Sequence, residues 1–156
     1  MDGALPARAD AADPLEGLTA LAAASAAAVD RGSLFPDATF AALRERRLLG
    51  MMIPRAMGGL DAPLASVAEA CHRLAQGCAS AGMVFAVHQI QVACLLAHGA
   101  GASWHRQALA RIAKRQLLLA SVTSEAGVGG NIRESRCALR AIGAGRIAVE
   151  KEATTV

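Results

Sequence analysis

A nearly uninterrupted apolar stretch at residues 78–97 constrains the fold more than any other part of the sequence. Its length suits a membrane-spanning helix, which needs about 20 residues. The stretch also contains four polar side chains, namely Ser80, His88, Gln89 and Gln91. Because polar groups are costly in lipid, the pattern favours the fully buried, central helix of a soluble helical bundle. We therefore predict no membrane span.

Start and stop signals divide residues 13–115 into an N-terminal bundle of five helices. Asp13, followed by a proline, is typical of an N-cap and a first helical residue. In the third helix Leu64, Val67 and Leu74 recur at helical spacing and predict one apolar face. The predicted helices are 13–32, 37–48, 63–77, 80–98 and 103–114, after a loose tail at 1–12.

The pattern changes from helical to β after residue 115. A short apolar run at 117–123 predicts a strand, and a glycine-rich loop follows it. Alternating residues at 136–142 and 146–150 predict a hairpin. The fold class is thus predicted to be mainly α: a helical bundle followed by the first strands of a β-barrel-like domain, α+β overall. Since so few strands leave edges exposed, residues 116–156 are expected to be the incomplete beginning of that domain.

Charge and cysteine usage exclude several function classes. The net charge is +3, and the arginine runs lack interleaved aromatic residues, so no nucleic-acid binding is predicted. The four cysteines have neither a C-x-x-C pair nor zinc-finger spacing, which predicts buried free thiols and no metal site. The N-terminus lacks the basic and apolar regions of a signal peptide, so we expect a cytoplasmic protein.

No catalytic constellation stands out among the polar residues. The four histidines do not form a metal pattern, and His88 is interpreted as a core or pocket-lining residue. There is no G-x-S-x-G elbow for a serine nucleophile. Ser103 is expected to cap the fifth helix, and Trp104 to anchor that helix by burial.

Several motifs, taken in order, resemble those of the acyl-CoA dehydrogenase family. Residues 49–54 and 57–60 resemble the family's turn "Gly, apolar, Ile-Pro … Gly-Gly" after its second helix. Residues 121–131 (SVTSEAGVGGN) resemble its flavin-contacting segment T-E-P-x-x-G-S-D, in which Ser124 and Glu125 match the Thr and Glu. The resemblance covers roughly residues 35–156 and extends to a later hairpin that ends in a lysine.

The resemblance implies FAD as the cofactor and an acyl-CoA thioester as the substrate. It assigns the flavin contacts to one segment and its glycine-rich loop: Ser121, Val122, Thr123, Ser124, Gly129 and Gly130. It assigns substrate contacts to Gly130, Asn131 and His88. Backbone groups at a strand end need no side-chain ordering to contact a flavin edge, and glycines allow close approach.

The family's reaction is desaturation between Cα and Cβ: a base removes the α proton while a hydride moves to flavin N5. The family's base is a glutamate of a C-terminal helical domain, so no catalytic residue is assigned in this chain and the piece alone is expected to be inactive. The resemblance further implies electron-transfer flavoprotein or another acceptor as a partner, a homo-oligomer, and a role in fatty acid metabolism.

Two other functions fit the sequence. Gly130 and Asn131 replace the family's Ser-Asp, and Ala126 replaces its proline, which suggests a flavin-dependent monooxygenase of the same fold that uses FMN. The other alternative is a non-catalytic helical interaction module or remnant, which predicts a stable fold and no flavin.

Overall fold

The computed structural model of the protein describes residues 13–99, 102–128 and 134–151. Within these ranges the chain forms five α-helices and then a two-stranded antiparallel sheet. This confirms the predicted fold class, mainly α with the start of a β domain. The chain divides into two compact units, residues 1–118 and 119–156, and each is described by itself. The sequence placed the boundary three residues earlier, after residue 115.

The first unit contains all five helices. Two 3-10 turns, Leu48–Gly50 and Arg55–Met57, lie between the second and third helices. The helices are α1 (Leu18–Gly32), α2 (Asp37–Glu45), α3 (Leu64–Gly77), α4 (Ala79–Gly99) and α5 (Ser103–Arg115).

The core of this unit is built mainly where α1, α3 and α4 pack together. Leu18, Leu74 and Phe85 are almost completely buried there, and Phe40 of α2 joins them. Each such side chain contributes roughly 1.5–3 kcal/mol when it leaves water. The predicted spacing of Val67 and Leu74 on one face of α3 is confirmed by their burial, whereas Leu64 is 69% exposed.

The first helix begins later than predicted. Asp13 does accept a hydrogen bond, from the Leu15 amide to Oδ1 at 3.0 Å, but it caps only a short turn. Gly17 then adopts the left-handed conformation with φ 73°, and α1 begins at Leu18. Glycine takes this conformation readily, so the local turn prevails over the predicted continuous helix. The tail predicted at 1–12 lies outside the described residues.

The second helix ends at Glu45 rather than at residue 48. Arg47 takes a left-handed conformation with φ 61°, which an arginine seldom adopts. Its Nη2 donates hydrogen bonds of 3.1 Å to the carbonyls of Gly58 and Ala113. These bonds connect the end of α2 to the following loop and to α5.

Helix α4 is buried on one side only among the described residues. Phe85, His88 and Gln89 face the core, but Met83 and Ile90 are 65% and 57% exposed. The prediction of a fully buried helix is therefore wrong for this outer face. Helix α4 is long and apolar enough to cross a membrane by length and composition alone. The inward hydrogen bonds of His88 and Gln89, described below, are those of a helix packed on protein.

The expectations for the start of α5 are wrong. Ser103 is the first helical residue, Ala102 occupies the cap position, and no side chain caps the helix. Trp104 is 61% exposed and stacks on His105, with ring centroids 3.6 Å apart. An amphipathic helix needs only one buried stripe, and Trp104 lies outside the stripe formed by Leu109, Ile112 and Ala113. Among the cysteines, Cys78 is buried but Cys94 is exposed.

The second unit contains the predicted hairpin, with shorter strands. Strand β1 (Leu139–Ala141) pairs with β2 (Ile147–Val149), with Arg140 opposite Ala148. The turn has positive φ at Gly143, Ala144 and Gly145. The strand predicted at 117–123 does not form: a strand requires a ladder with a neighbouring strand, and the ladder in the described part of the chain joins β1 and β2.

Candidate functional site

The segment that resembles the flavin contacts runs in an irregular, extended form through the second unit. Ser121 and Ser124 are half-buried, whereas Val122 and Thr123 are exposed. The carbonyl of Val122 accepts a 2.6 Å hydrogen bond from Nζ of Lys151. The backbone groups of Ser121 and Thr123 have no hydrogen-bond partner among the described residues. Of the backbone groups at 121–123, the Val122 carbonyl is therefore the one with a hydrogen-bond partner among the described residues.

Glu125 holds this segment to the hairpin. Its carboxylate accepts 2.6 Å hydrogen bonds from the Ser135 hydroxyl and the Arg136 amide. Nζ of Lys151 lies 3.1 Å from the same carboxylate. The Ser135 bond first, then the Arg136 amide and Lys151, lower the pKa of Glu125 to about 2. The carboxylate is therefore ionised at neutral pH and serves as an acceptor, not as a proton donor.

Lys151 is accordingly shared between Glu125 and the Val122 carbonyl. Sequence analysis matched Glu125 and the hairpin lysine to family motifs but gave neither a role in this segment. Gly129, Gly130 and Asn131, to which flavin and substrate contacts were assigned, lie outside the described residues.

His88 lies in the core of the helical unit. Its Nε2 is 2.8 Å from the Leu49 carbonyl, and because a carbonyl can only accept, this nitrogen carries the proton. Burial lowers the pKa of His88, although the bond to Leu49 opposes that shift. A neutral imidazole that is bonded to the backbone is a core histidine, which is one of the two interpretations that the sequence allowed for His88. A contact with substrate stays a prediction.

Two buried amides complete a polar network around Leu48 and Leu49. Gln89 Nε2 donates to the Leu48 carbonyl at 3.0 Å. The Leu49 amide donates to Gln116 Oε1 at 3.0 Å, and Gln116 Nε2 donates to Ala113 at 2.7 Å. Side chains from α4 and the end of α5 thus satisfy the backbone of a tight turn that has no regular partner.

An apolar groove of about 170 Å³ lies between α3 and α4, here called the α3–α4 groove. Its walls include Met52, Leu64, Val67, Ala86, Gln89 and Ile90. Gln89 is among the lining residues, but it is only 2% exposed and its Oε1 is fully buried. The sequence analysis did not predict this groove. The glutamine inside the apolar stretch was a usable signal, but it was interpreted only as an argument against a membrane span.

No cluster of three or more metal-ligating side chains occurs among the residues that the structure describes. The predicted flavin segment belongs to the second unit, and His88 and the α3–α4 groove belong to the first. The contacts described above for each of these three are with residues of the same unit.

Comparison with known proteins adds one match. The model of the family described as "Acyl-CoA dehydrogenase, N-terminal domain" matches residues 18–116. This match spans α1 to α5. No curated protein and no solved structure matches the chain.

Proposed function

Because the chain belongs to the acyl-CoA dehydrogenase family, we propose that it serves the FAD-dependent α,β-desaturation of an acyl-CoA thioester. The observation that carries this proposal is the match of the family's N-terminal domain to the whole five-helix region. The family is one of oxidoreductases, and it generally binds FAD.

The residues of the second unit fit a flavin edge. Such an edge carries carbonyl oxygens and ring nitrogens that need fixed hydrogen-bond partners. Ser121 and Thr123 offer backbone donors and acceptors that no described residue uses. Lys151 holds the intervening Val122 carbonyl, so the segment is ordered before a ligand arrives. Preorganisation of this kind lowers the entropy cost of binding.

In this proposal Ser121 and Thr123 hold the cofactor through their backbones, and Glu125 and Lys151 position them. FAD, when bound, supplies the acceptor for the hydride that leaves the acyl group. The proton-abstracting base is not assigned to any residue described here.

We further propose an acyl-CoA substrate, electron-transfer flavoprotein or a similar acceptor, and a homo-oligomer, as is general in the family. The four cysteines are free thiols, as in a reducing cytoplasm, and we propose that location.

The test is to purify the protein from its source cells and to record its intact mass, its flavin content and its response to acyl-CoA. The expected result is stoichiometric FAD whose absorbance bleaches when an acyl-CoA is added without oxygen. A purified protein that carries no flavin and binds neither added FAD nor acyl-CoA would contradict the proposal. That result would favour the non-catalytic interaction module.

The chain's two lysines provide a matched pair for the cofactor site. Lys151→Met removes the hydrogen bond to Val122 and the ion pair with Glu125. We expect it to weaken FAD binding several-fold while the circular dichroism of the helices is unchanged. Lys114→Met, on the exposed side of α5, is the control and should bind FAD like the wild type. Equal FAD affinity in both variants would remove Lys151 from the site.

A further inference from the structure

Helix α5 carries a basic surface on the side that is turned away from the core. The helix contains no acidic residue, and four of its exposed side chains are cations, namely Arg106, Arg111, Lys114 and Arg115. The surrounding sequence offers no local counter-charge either, because no Asp or Glu occurs between Glu69 and Glu125. These four cations together with Trp104 are here called the α5 basic face.

The cations of this face are unpaired within the described part of the chain. The ion pairs that the structure forms there join Arg73 to Asp13 and Lys151 to Glu125. The four side chains of α5 also make no hydrogen bond to a described residue. Arg111 and Arg115 are four residues apart, and like charges at this spacing destabilise a helix. An anionic partner would turn this repulsion into attraction.

The helix dipole explains only part of the charge. Lys114 and Arg115 lie in the last turn of α5, where cations interact favourably with the negative end of the dipole. Arg111 lies one turn further in, and Arg106 lies near the opposite end, where a cation is unfavourable. Two of the four cations are therefore not accounted for by the stability of the helix itself.

Trp104 adds a large apolar group to the same face. Its side chain is 61% exposed. Arg111 and Arg115 follow it at i+7 and i+11, so the three side chains lie along one line on the helix surface, roughly 16 Å long. An indole beside a row of arginines suits the headgroup layer of a membrane, because tryptophan prefers that interface and cations are attracted to anionic lipids. A single-stranded nucleic acid would instead need several stacking rings.

We propose that the α5 basic face docks on an anionic phospholipid surface, with Trp104 at the level of the headgroups and the cations against the lipid phosphates and carboxylates. The cytoplasmic leaflet of a membrane has the required negative charge. Docking of this kind is peripheral and needs no spanning helix, because α5 stays packed on the core through Leu109, Ile112 and Ala113. The inference is independent of the oxidoreductase activity proposed above.

The test is co-sedimentation of the protein of residues 1–156 with vesicles of two compositions. One consists of phosphatidylcholine alone, and the other of equal parts of phosphatidylcholine and phosphatidylserine. We expect binding to the mixed vesicles only, and weaker binding at about 1 M salt, where the screening length falls to about 3 Å. No binding to the mixed vesicles, or equal binding to both, would overturn the proposal. Binding to soluble polyglutamate without binding to vesicles would also overturn it, and would assign the face to an acidic protein.

Two triple variants with the same change in net charge locate the surface. The first combines Arg106→Gln, Arg111→Gln and Arg115→Gln. Each cation near an anionic surface contributes about fivefold to binding, so this variant should bind the mixed vesicles roughly 100-fold more weakly. The control makes the same change at three exposed arginines of other elements and should bind much like the wild type: Arg31, Arg44 and Arg140. An equal loss in both variants would show that binding follows net charge alone, which would overturn the assignment to α5.

A further variant tests the indole separately from the charge. Trp104→Gln keeps all four cations and removes the ring, so it should bind the mixed vesicles several-fold more weakly than the wild type. Unchanged binding would overturn the position of Trp104 at the headgroups. All the substituted residues are exposed, and the circular dichroism of every variant should match that of the wild type.

Discussion

The imidazole of His88 donates its Nε2 proton to the Leu49 carbonyl over 2.8 Å, in a core position with no exposed surface. Replacement by leucine leaves that carbonyl without its donor. Because an unsatisfied buried polar group costs about 1–3 kcal/mol, we expect His88→Leu to lower the free energy of unfolding by about that amount. Urea unfolding followed by circular dichroism measures the change. The exposed His98 on the same helix is the control, and His98→Leu should be nearly neutral.

The same histidine predicts a pH dependence of stability. Burial lowers the pKa of His88 in the folded state below its ordinary value of 6.5. As the pH falls below that value, the unfolded chain gains a proton that the folded protein does not take up. Stability should therefore be complete above about pH 6.5 and decrease toward lower pH, with a limiting slope of about 1.36 kcal/mol per pH unit. A His88→Gln variant, whose amide can still donate to Leu49, should lose this pH dependence. A wild-type protein that is equally stable above and below pH 6.5 would contradict the lowered pKa of His88.

Glu125 predicts a second dependence of stability on pH, in a more acidic range. Its pKa is lowered to about 2, chiefly by the Ser135 hydroxyl and the Arg136 amide. The stabilisation of the second unit that this gives is present above the ordinary value of 4.5 and is lost as the pH falls toward about 2. Carboxyl ¹³C NMR should show a titration near that value, which disappears in Glu125→Gln. The neighbouring exposed Glu150 serves as the control, because Glu150→Gln should leave the low titration unchanged.

Gly77, the last residue of α3, lies against the backbone of α1. A Cβ at this position would collide with the Thr19 carbonyl and approach the Ala22 side chain. Helix backbones cannot yield as a flexible side chain can, so Gly77→Ala should destabilise the helical unit by about 1–3 kcal/mol. Gln76→Ala, on the exposed side of the same turn, should have little effect. Thermal unfolding compares the two variants. Equal midpoints would show that α1 and α3 can move apart without a loss of stability.

Arg47 adopts its left-handed backbone together with two hydrogen bonds to the Gly58 and Ala113 carbonyls. Arg47→Met removes both bonds while the unfavourable backbone conformation remains. We expect a loss of about 1.5–3 kcal/mol, the range for a hydrogen bond to a charged group. Arg44→Met, at an exposed site of α2, is the control. Arg47→Gly is informative because glycine relieves the backbone strain, so it should be less damaging than methionine at the same position.

Local periodicity predicted the helices well because each one buries a stripe of apolar residues, as Val67 and Leu74 do in α3. Periodicity did not predict which apolar residues are buried, because burial depends on which residues of other elements pack against them. Trp104 and Met83 are as apolar as any core residue, yet both are exposed. The strand predicted at 117–123 failed for a related reason, since the sequence shows the propensity of a strand but not its partner.

The candidate site was predictable only in part. The motif around Ser124 and Glu125 identified the segment, whereas the role of Lys151 depends on a contact across 29 residues. Gln89 was visible in the sequence, but that its Nε2 donates to the Leu48 carbonyl, 41 residues earlier, follows only from the structure. Such pairings between distant residues have no signature in local sequence.

The position of Trp104 also determines how the protein can be observed in solution. It is the sole tryptophan, and the chain has no tyrosine. Because its indole is 61% exposed and stacked on His105, ultraviolet emission will report on the first turn of α5 and not on the core. Emission should already be red-shifted in the native protein and should change little on denaturation. A tryptophan substituted for the buried Phe40 would give the core an optical probe that the natural sequence lacks.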